Sequence, residues 1–130
     1  MAIDTSPIEK LNAHAAMGSN ADIVDEVMWP DFVDHDPLPG TGGREGQRAL
    51  FKMVQGAFSD RKLDRDEMIE TADGRIVEYW TMSAKFTGEF MGIPPSNKPV
   101  AVSGIEIWKI AGGKIAERWG VVDMSALMGG

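Results

Sequence analysis

Apolar positions along the chain follow two different periods, and the change comes near Asp60. Before it, Ile23, Val24, Val27 and Met28, and then Leu50, Phe51, Met53, Val54, Ala57 and Phe58, recur at helical spacing. After it, apolar and polar residues alternate. In the longest such run Ile76, Glu78, Trp80, Met82, Ala84 and Phe86 share one strand face, while Arg75, Val77, Tyr79, Thr81, Ser83 and Lys85 share the other.

Punctuation residues bound the elements. Ser6 with Glu9 three residues on forms a capping-box pattern, Pro7 suits a first helical turn, and Gly18 stops a helix that reaches about Ala16. A second helix starts near Ser19 or Asn20 and ends at Pro30. Residues 30–42 are too rich in Pro and Gly for a regular element and read as a shaped loop over a core or pocket mouth. A third helix begins at Gly43 and is the one long enough to cover a sheet. Strands follow over 62–71, 75–87, 100–110 and 114–122, with turns at Asp73-Gly74 and Gly112-Gly113. Helices followed by a run of antiparallel strands predict an α+β fold, with one domain over 1–130 and no repeat or linker.

The last strand carries the most chemistry. Period two puts Ile115, Glu117, Trp119, Val121 and Asp123 on one face, so two carboxylates sit among apolar neighbours. Desolvation there raises a carboxyl toward the range of a general base. The competing role for Asp123 is to cap a short C-terminal helix over 124–128. A sheet curling around the third helix encloses a pocket lined by Trp80, Met82, Phe86, Trp108 and Trp119, with Phe51 from the helical stripe. Met and Trp at such positions also serve as plain core. Glu78 and Glu106 share the apolar parity of their strands and are further titratable candidates, with a Lys or Arg partner at the sheet edge as the other reading. The segment from Phe86 to Pro95, with paired glycines and prolines, forms an irregular excursion suited to a pocket rim. His35, between Asp34 and Asp36, either has one ring nitrogen held by a carboxylate so that the other meets a ligand, or is a solvated histidine in an acidic loop. His14 reads as a helix-surface residue.

Composition narrows the partners. In 130 residues, 43% apolar and 25% charged, 13 basic against 20 acidic side chains give a net charge of −7, a field that repels nucleic acid and anionic membranes. With no cysteine, thiolate chemistry is excluded, and His14 and His35 lack metal-ligand spacing, so no metal is expected. The first residues carry no leader pattern and no apolar run would span a bilayer, which makes the cytoplasm the default location.

In chain order, Asp34-His35, Gly43-x-x-Gly46, Phe58-Ser59-Asp60, Gly88-x-Phe90-x-Gly92-Ile93-Pro94-Pro95 with Lys98, and Gly113-Lys114-Ile115-x-Glu117-x-Trp119-x-x-x-Asp123 resemble the SnoaL-like polyketide cyclase family. The resemblance implies the cone-shaped α+β barrel of nuclear transport factor 2, shared with ketosteroid isomerase, limonene epoxide hydrolase and scytalone dehydratase. It implies ring closure of a hydrophobic substrate by intramolecular aldol condensation, with no cofactor, with Asp123 as acid/base and with His35 orienting or polarising a carbonyl. The chain departs from cyclases with a histidine in the penultimate strand, where Glu106 is the inward titratable group. Two other functions compete. Epoxide hydrolysis needs an Asp-Arg-Asp set, for which Arg118 and Arg75 are available, but strand parity turns Arg118 away from Asp123. A non-catalytic ligand-binding or dimerisation module needs only the pocket. Val77, Tyr79, Ile105 and Ile107 on the opposite face predict a homodimer through the outer sheet, as related folds form.

Overall fold

Alternation with period two yields four long strands. In the computed structural model, which describes residues 3–129, β2 spans Phe58–Glu70, β3 Arg75–Phe86, β4 Pro99–Ala111 and β5 Lys114–Asp123. Met1 and Ala2, part of the stretch read for a leader, and Gly130 lie outside the described residues. Turns around Gly74 and Gly112-Gly113, all at positive φ, join β2 to β3 and β4 to β5. β2 starts earlier than its apolar pattern suggested. Phe58, counted above with the helical stripe, is its first residue, and the register shifts between Ser59 and Lys62, where Asp60 holds φ 53°.

A fifth strand corrects the reading of residues 28–34. β1, Met28–Asp34, lies where a helix end and a loop were expected. Its burial alternates around Met28, Phe32 and Asp34, the period of a half-buried strand. Pro30 is tolerated because β1 is an edge strand, paired only with β5 and parallel to it. The order β1-β5-β4-β3-β2 is therefore a mixed sheet, not a purely antiparallel one.

The helical part is also shorter than its apolar stripes. α1, Ser6–Leu11, has Pro7 in its first turn and runs on as a π-helical turn, Asn12–Ala16. The capping box does not form; Thr5 precedes the helix, and Asp4 Oδ1 accepts the Ser6 N–H at 2.9 Å. α2 is only Val24–Val27, after a 3₁₀ turn at Ala21–Ile23. α3, Gly43–Ala57, is the long amphipathic helix that the i, i+3, i+4 pattern requires. It touches both β1 and β2, the two edges of the sheet, so the sheet must wrap around it. One apolar cluster gathers Ile8, Leu11, Met28, Ile76, Trp108 and Ile115, and a second gathers Phe58, Met82, Phe86, Phe90, Val102 and Leu127. The cavity described next takes its wall from both.

Candidate functional site

Each of the five strands contributes one charged side chain to a row across the inner face. From β1, Asp34 Oδ1 accepts Arg118 Nη1 of β5 at 2.9 Å; Arg118 Nε donates to Glu106 Oε2 of β4 at 2.7 Å. Glu78 of β3 lies opposite Glu106 in register, and its Oε2 accepts Arg65 Nε of β2 at 2.6 Å. Neighbouring donors fix the ends. Gln47 Nε2 of α3 reaches Asp34 Oδ2 at 3.2 Å, Asn12 Nδ2 reaches Glu78 Oε2 at 3.2 Å, and Trp80 Nε1 donates to Glu106 Oε1 at 2.8 Å. The π-helical turn begins at Asn12 and so delivers this amide to a strand residue far along the chain.

Two glycines make room for this arrangement. A Cβ at Gly104 would lie 2.6 Å from Cζ2 of Trp80, so the indole can lie against β4 and reach Glu106 only over a glycine. A Cβ at Gly120 would lie 2.6 Å from the Ile105 carbonyl oxygen and 3.1 Å from Arg118 Nη2. Glycine at these two places is a matter of close approach, not of unusual φ.

Over the charged run lies a cavity of about 120 Å³, walled by Leu50, Phe51 and Val54 of α3 and by Trp80, Met82 and Trp108 of the sheet. Asp34, Glu78, Glu106 and Arg118 also face it. Three carboxylates share two guanidiniums, so full ionisation would leave a net negative charge in an apolar enclosure. Burial pushes the Glu106 carboxyl above its ordinary value, and Glu78 adds to the rise by repulsion, against the opposing pull of Arg118 and Trp80. A carboxyl in that state can both take and return a proton above the ordinary carboxyl range.

The structure divides the residues singled out from the sequence. Trp80, Met82, Trp108, Phe51, Glu78 and Glu106 line the cavity. Phe86 does not; it is fully buried and stacks on Phe58 at 5.2 Å between ring centroids. Trp119, Asp123 and His35 are also outside it; for Trp119 and Asp123 the cause is one residue. Lys109 pairs with Glu117 while Ile110 pairs with Ile115, so Ala116 is an extra residue in β5. Beyond this bulge the faces exchange. Arg118 and Val122 point inward, while Glu117, Trp119, Val121 and Asp123 belong to the outer face, Val121 being 70% exposed. Asp123 is exposed there and its Oδ1 accepts the Ser125 N–H at 2.9 Å, which holds its carboxyl below the usual range. This is an Asx-type turn and not the expected cap: Met124 holds the N-cap position of the 3₁₀ turn over Ser125–Met128, which has no side-chain cap. His35 stacks on Trp119 with ring centroids 4.5 Å apart and its Nε2 lies 3.0 Å from Glu117 Oε1.

Arg65, Gln47 and Asn12 were not foreseen as site residues; Asp34 entered only through the Asp34-His35 motif, and Arg118 only as the cation of the lower-ranked epoxide-hydrolase reading. The signal for the two arginines was present, since carboxylates at Glu78 and Glu106 on apolar strand faces need buried cationic partners. Among the described residues no group of three or more His, Asp or Glu side chains is placed to hold a metal ion, and no helix is long and apolar enough to cross a membrane.

Comparison with known proteins agrees with this architecture. The profile of the SnoaL-like polyketide cyclases matches residues 9–129. TsrD from Streptomyces laurentii is similar in structure, with a TM-score of 0.77 at 25% identity over 96% of this chain and 94% of that one. A candidate SnoaL-like polyketide cyclase from a Jannaschia species superposes with a TM-score of 0.77 at 23% identity, covering 98% and 92%. A Catenulispora acidiphila protein with a ketosteroid isomerase-like fold gives a TM-score of 0.71 at 16% identity, covering 98% and 92%. A comparison with curated proteins finds no match. A profile spanning nearly the whole chain, and helices closing a wrapped sheet as in these structures, place the protein on the nuclear transport factor 2-like fold and in the SnoaL-like polyketide cyclase family, to which it belongs.

Proposed function

We propose that the protein is a cofactor-free acid–base enzyme acting on a hydrophobic carbonyl compound, by ring closure or a related proton transfer, with Glu106 as the group that moves the proton. The observation that carries this reading is a carboxyl raised by burial, facing an apolar cavity, with each oxygen held by a fixed donor. In ring closure, the Glu106 carboxylate removes a proton from the carbon α to a carbonyl, leaving an enolate. The enolate carbon bonds to a second carbonyl carbon of the same molecule, and protonated Glu106 returns its proton to the new alkoxide. Trp80 and Arg118 keep the carboxylate in place, and Asp34 with Gln47 keeps the guanidinium in place. The apolar walls exclude water and hold the chain folded for attack.

Exchange of the methyl protons of acetophenone in D₂O, followed by NMR, tests the proton-transfer step without knowledge of the natural substrate. Glu106→Gln keeps the shape and removes the basicity, so catalysed exchange should fall by about 10²- to 10⁴-fold. Equal exchange by the two proteins contradicts the assignment.

A second reading is favoured by one observation, the Arg118 guanidinium bridging Asp34 and Glu106 in the cavity wall. Two carboxylates about one arginine could activate a water and protonate an epoxide oxygen. Conversion of styrene oxide to a diol carrying oxygen from ¹⁸O-labelled water supports it, and an absence of diol rejects it.

The homodimer stays a proposal for the outer face, where Val33, Tyr79, Ile105 and Val121 are exposed. Sedimentation as a monomer at micromolar concentration contradicts it.

A further inference from the structure

Among the described residues, Trp108 Nε1 is the buried side-chain polar atom left without a hydrogen-bond partner. An indole N–H can only donate, and leaving it unpaired in the interior is costly. Other indoles in the chain avoid this. Trp29 Nε1 donates to the Ala111 carbonyl oxygen at 2.6 Å and Trp80 Nε1 to Glu106 at 2.8 Å. Trp108 is 2% exposed, lines the cavity, and sits two residues from Glu106 on the same face of β4, opposite Arg118 in register. None of the carboxylates in that row accepts from Trp108 Nε1. Glu106 Oε1 takes Trp80, Glu106 Oε2 takes Arg118, and Glu78 Oε2 takes Arg65 and Asn12.

We infer that Trp108 donates its Nε1–H to the carbonyl oxygen of the bound substrate. Resting on the acid–base reading above, this assigns the two halves of the reaction to one strand face, with Glu106 at the α-proton and Trp108 at the oxygen where negative charge develops. A neutral donor suits this place. It adds no charge to a row whose carboxylates already outnumber its guanidiniums, and it strengthens as the carbonyl oxygen becomes an enolate oxygen. The substrate class follows: a compound whose carbonyl oxygen enters the apolar cavity ahead of any charged group. The cavity of about 120 Å³ is smaller than the roughly 150 Å³ apolar cavity that accommodates benzene, which limits that end of the substrate to a single ring or a short chain at most.

Acetophenone and α-methylstyrene share a shape and differ in whether oxygen or CH₂ ends the double bond, so the pair isolates the acceptor. Trp108→Phe should weaken acetophenone about 3- to 10-fold and leave α-methylstyrene unchanged. The infrared band of ¹³C=O acetophenone should lie lower when bound to the wild type and move back toward its apolar-solvent position in Trp108→Phe. In the ¹⁵N-labelled wild type, the Trp108 indole resonance should shift with acetophenone and not with α-methylstyrene, a reading that does not depend on the variant folding. If acetophenone leaves that resonance and the variant's affinity unmoved, the inference is wrong, even where Glu106-dependent exchange persists. If the Trp108-dependent band shift is present while Glu106→Gln exchanges normally, the donor stands and the acid–base assignment fails. A wild type that binds neither probe overturns both.

Discussion

Glu106 and Glu117 are the same residue type on adjacent strands, and each accepts a hydrogen bond from a ring nitrogen and sits against a cation. Glu106 has Trp80 and Arg118; Glu117 has His35 at 3.0 Å and Lys109 at 3.5 Å. The inner face of the sheet raises the first by burial, while the outer face lowers the second through its bond from His35, with Lys109 assisting. Partners alone therefore do not set the behaviour of a carboxylate. The solvent around the pair decides whether the charged form gains or loses, and only the inner face leaves a carboxyl that holds its proton above the ordinary range.

The largest break in this contrast should come from Arg118→Met. It leaves Asp34 and Glu106 buried without their shared cation, and loss of one partner of a buried pair costs about 3–5 kcal/mol. The matching change outside, Lys109→Met, should leave the urea midpoint where it is, because that lysine is half exposed. A midpoint for Arg118→Met equal to wild type would show that the inner pair is not desolvated.

Gly104→Val should have the next largest effect. Its Cβ would meet Trp80 Cζ2 at 2.6 Å, and overpacking of this kind costs about 1–3 kcal/mol while pulling the indole away from Glu106. The expected result is a lower thermal midpoint together with altered Trp80 fluorescence. An unchanged spectrum would mean that the indole does not lie over this glycine.

The two carboxylates should also differ in the pH dependence of stability, with opposite signs. Glu106 has a folded value above 4.5, so its contribution is present below 4.5 and is lost as pH rises through the raised value. Glu117 has a folded value below 4.5, so its contribution is present above 4.5 and is lost as pH falls through the lowered value. Glu106→Gln should flatten the first segment and Glu117→Gln the second, in urea titrations across this range. The smallest effect is expected for Asp123→Asn, since Asn forms the same Asx-type bond to the Ser125 N–H: stability and exchange activity should both stay at the wild-type level. A loss of exchange in this variant would return the acid/base role to the outer face.

Much of this was readable from residue order, and the part that was not has a physical cause. The parity of β3 and β4 put Glu78, Trp80, Met82, Glu106 and Trp108 inward, because an unbroken strand preserves period two. In β5 the same rule failed at Ala116, where a bulge next to the hairpin inverted every later side chain and exchanged Arg118 for Trp119 and Asp123. β1 was hidden because Pro30 and the surrounding acids resemble a loop, and only a parallel edge position accommodates them. Phe86 read as a pocket wall from its parity, yet it lies toward the end of β3, where Phe58 and Phe90 fill the space. The motif Asp34-His35 marked the right place, but β1 turns Asp34 to the cavity and His35 to the outer face.

The central claim is that Glu106 keeps a proton beyond the ordinary carboxyl range because of where it is buried. Infrared titration of the protonated-carboxyl band in D₂O measures this directly. In the wild type a band should persist after the ordinary carboxyls have ionised, and that residual band should be missing from Glu106→Gln while it remains in Glu117→Gln. A wild-type spectrum in which every carboxyl ionises within the ordinary range, or a residual band that survives in Glu106→Gln, would contradict it.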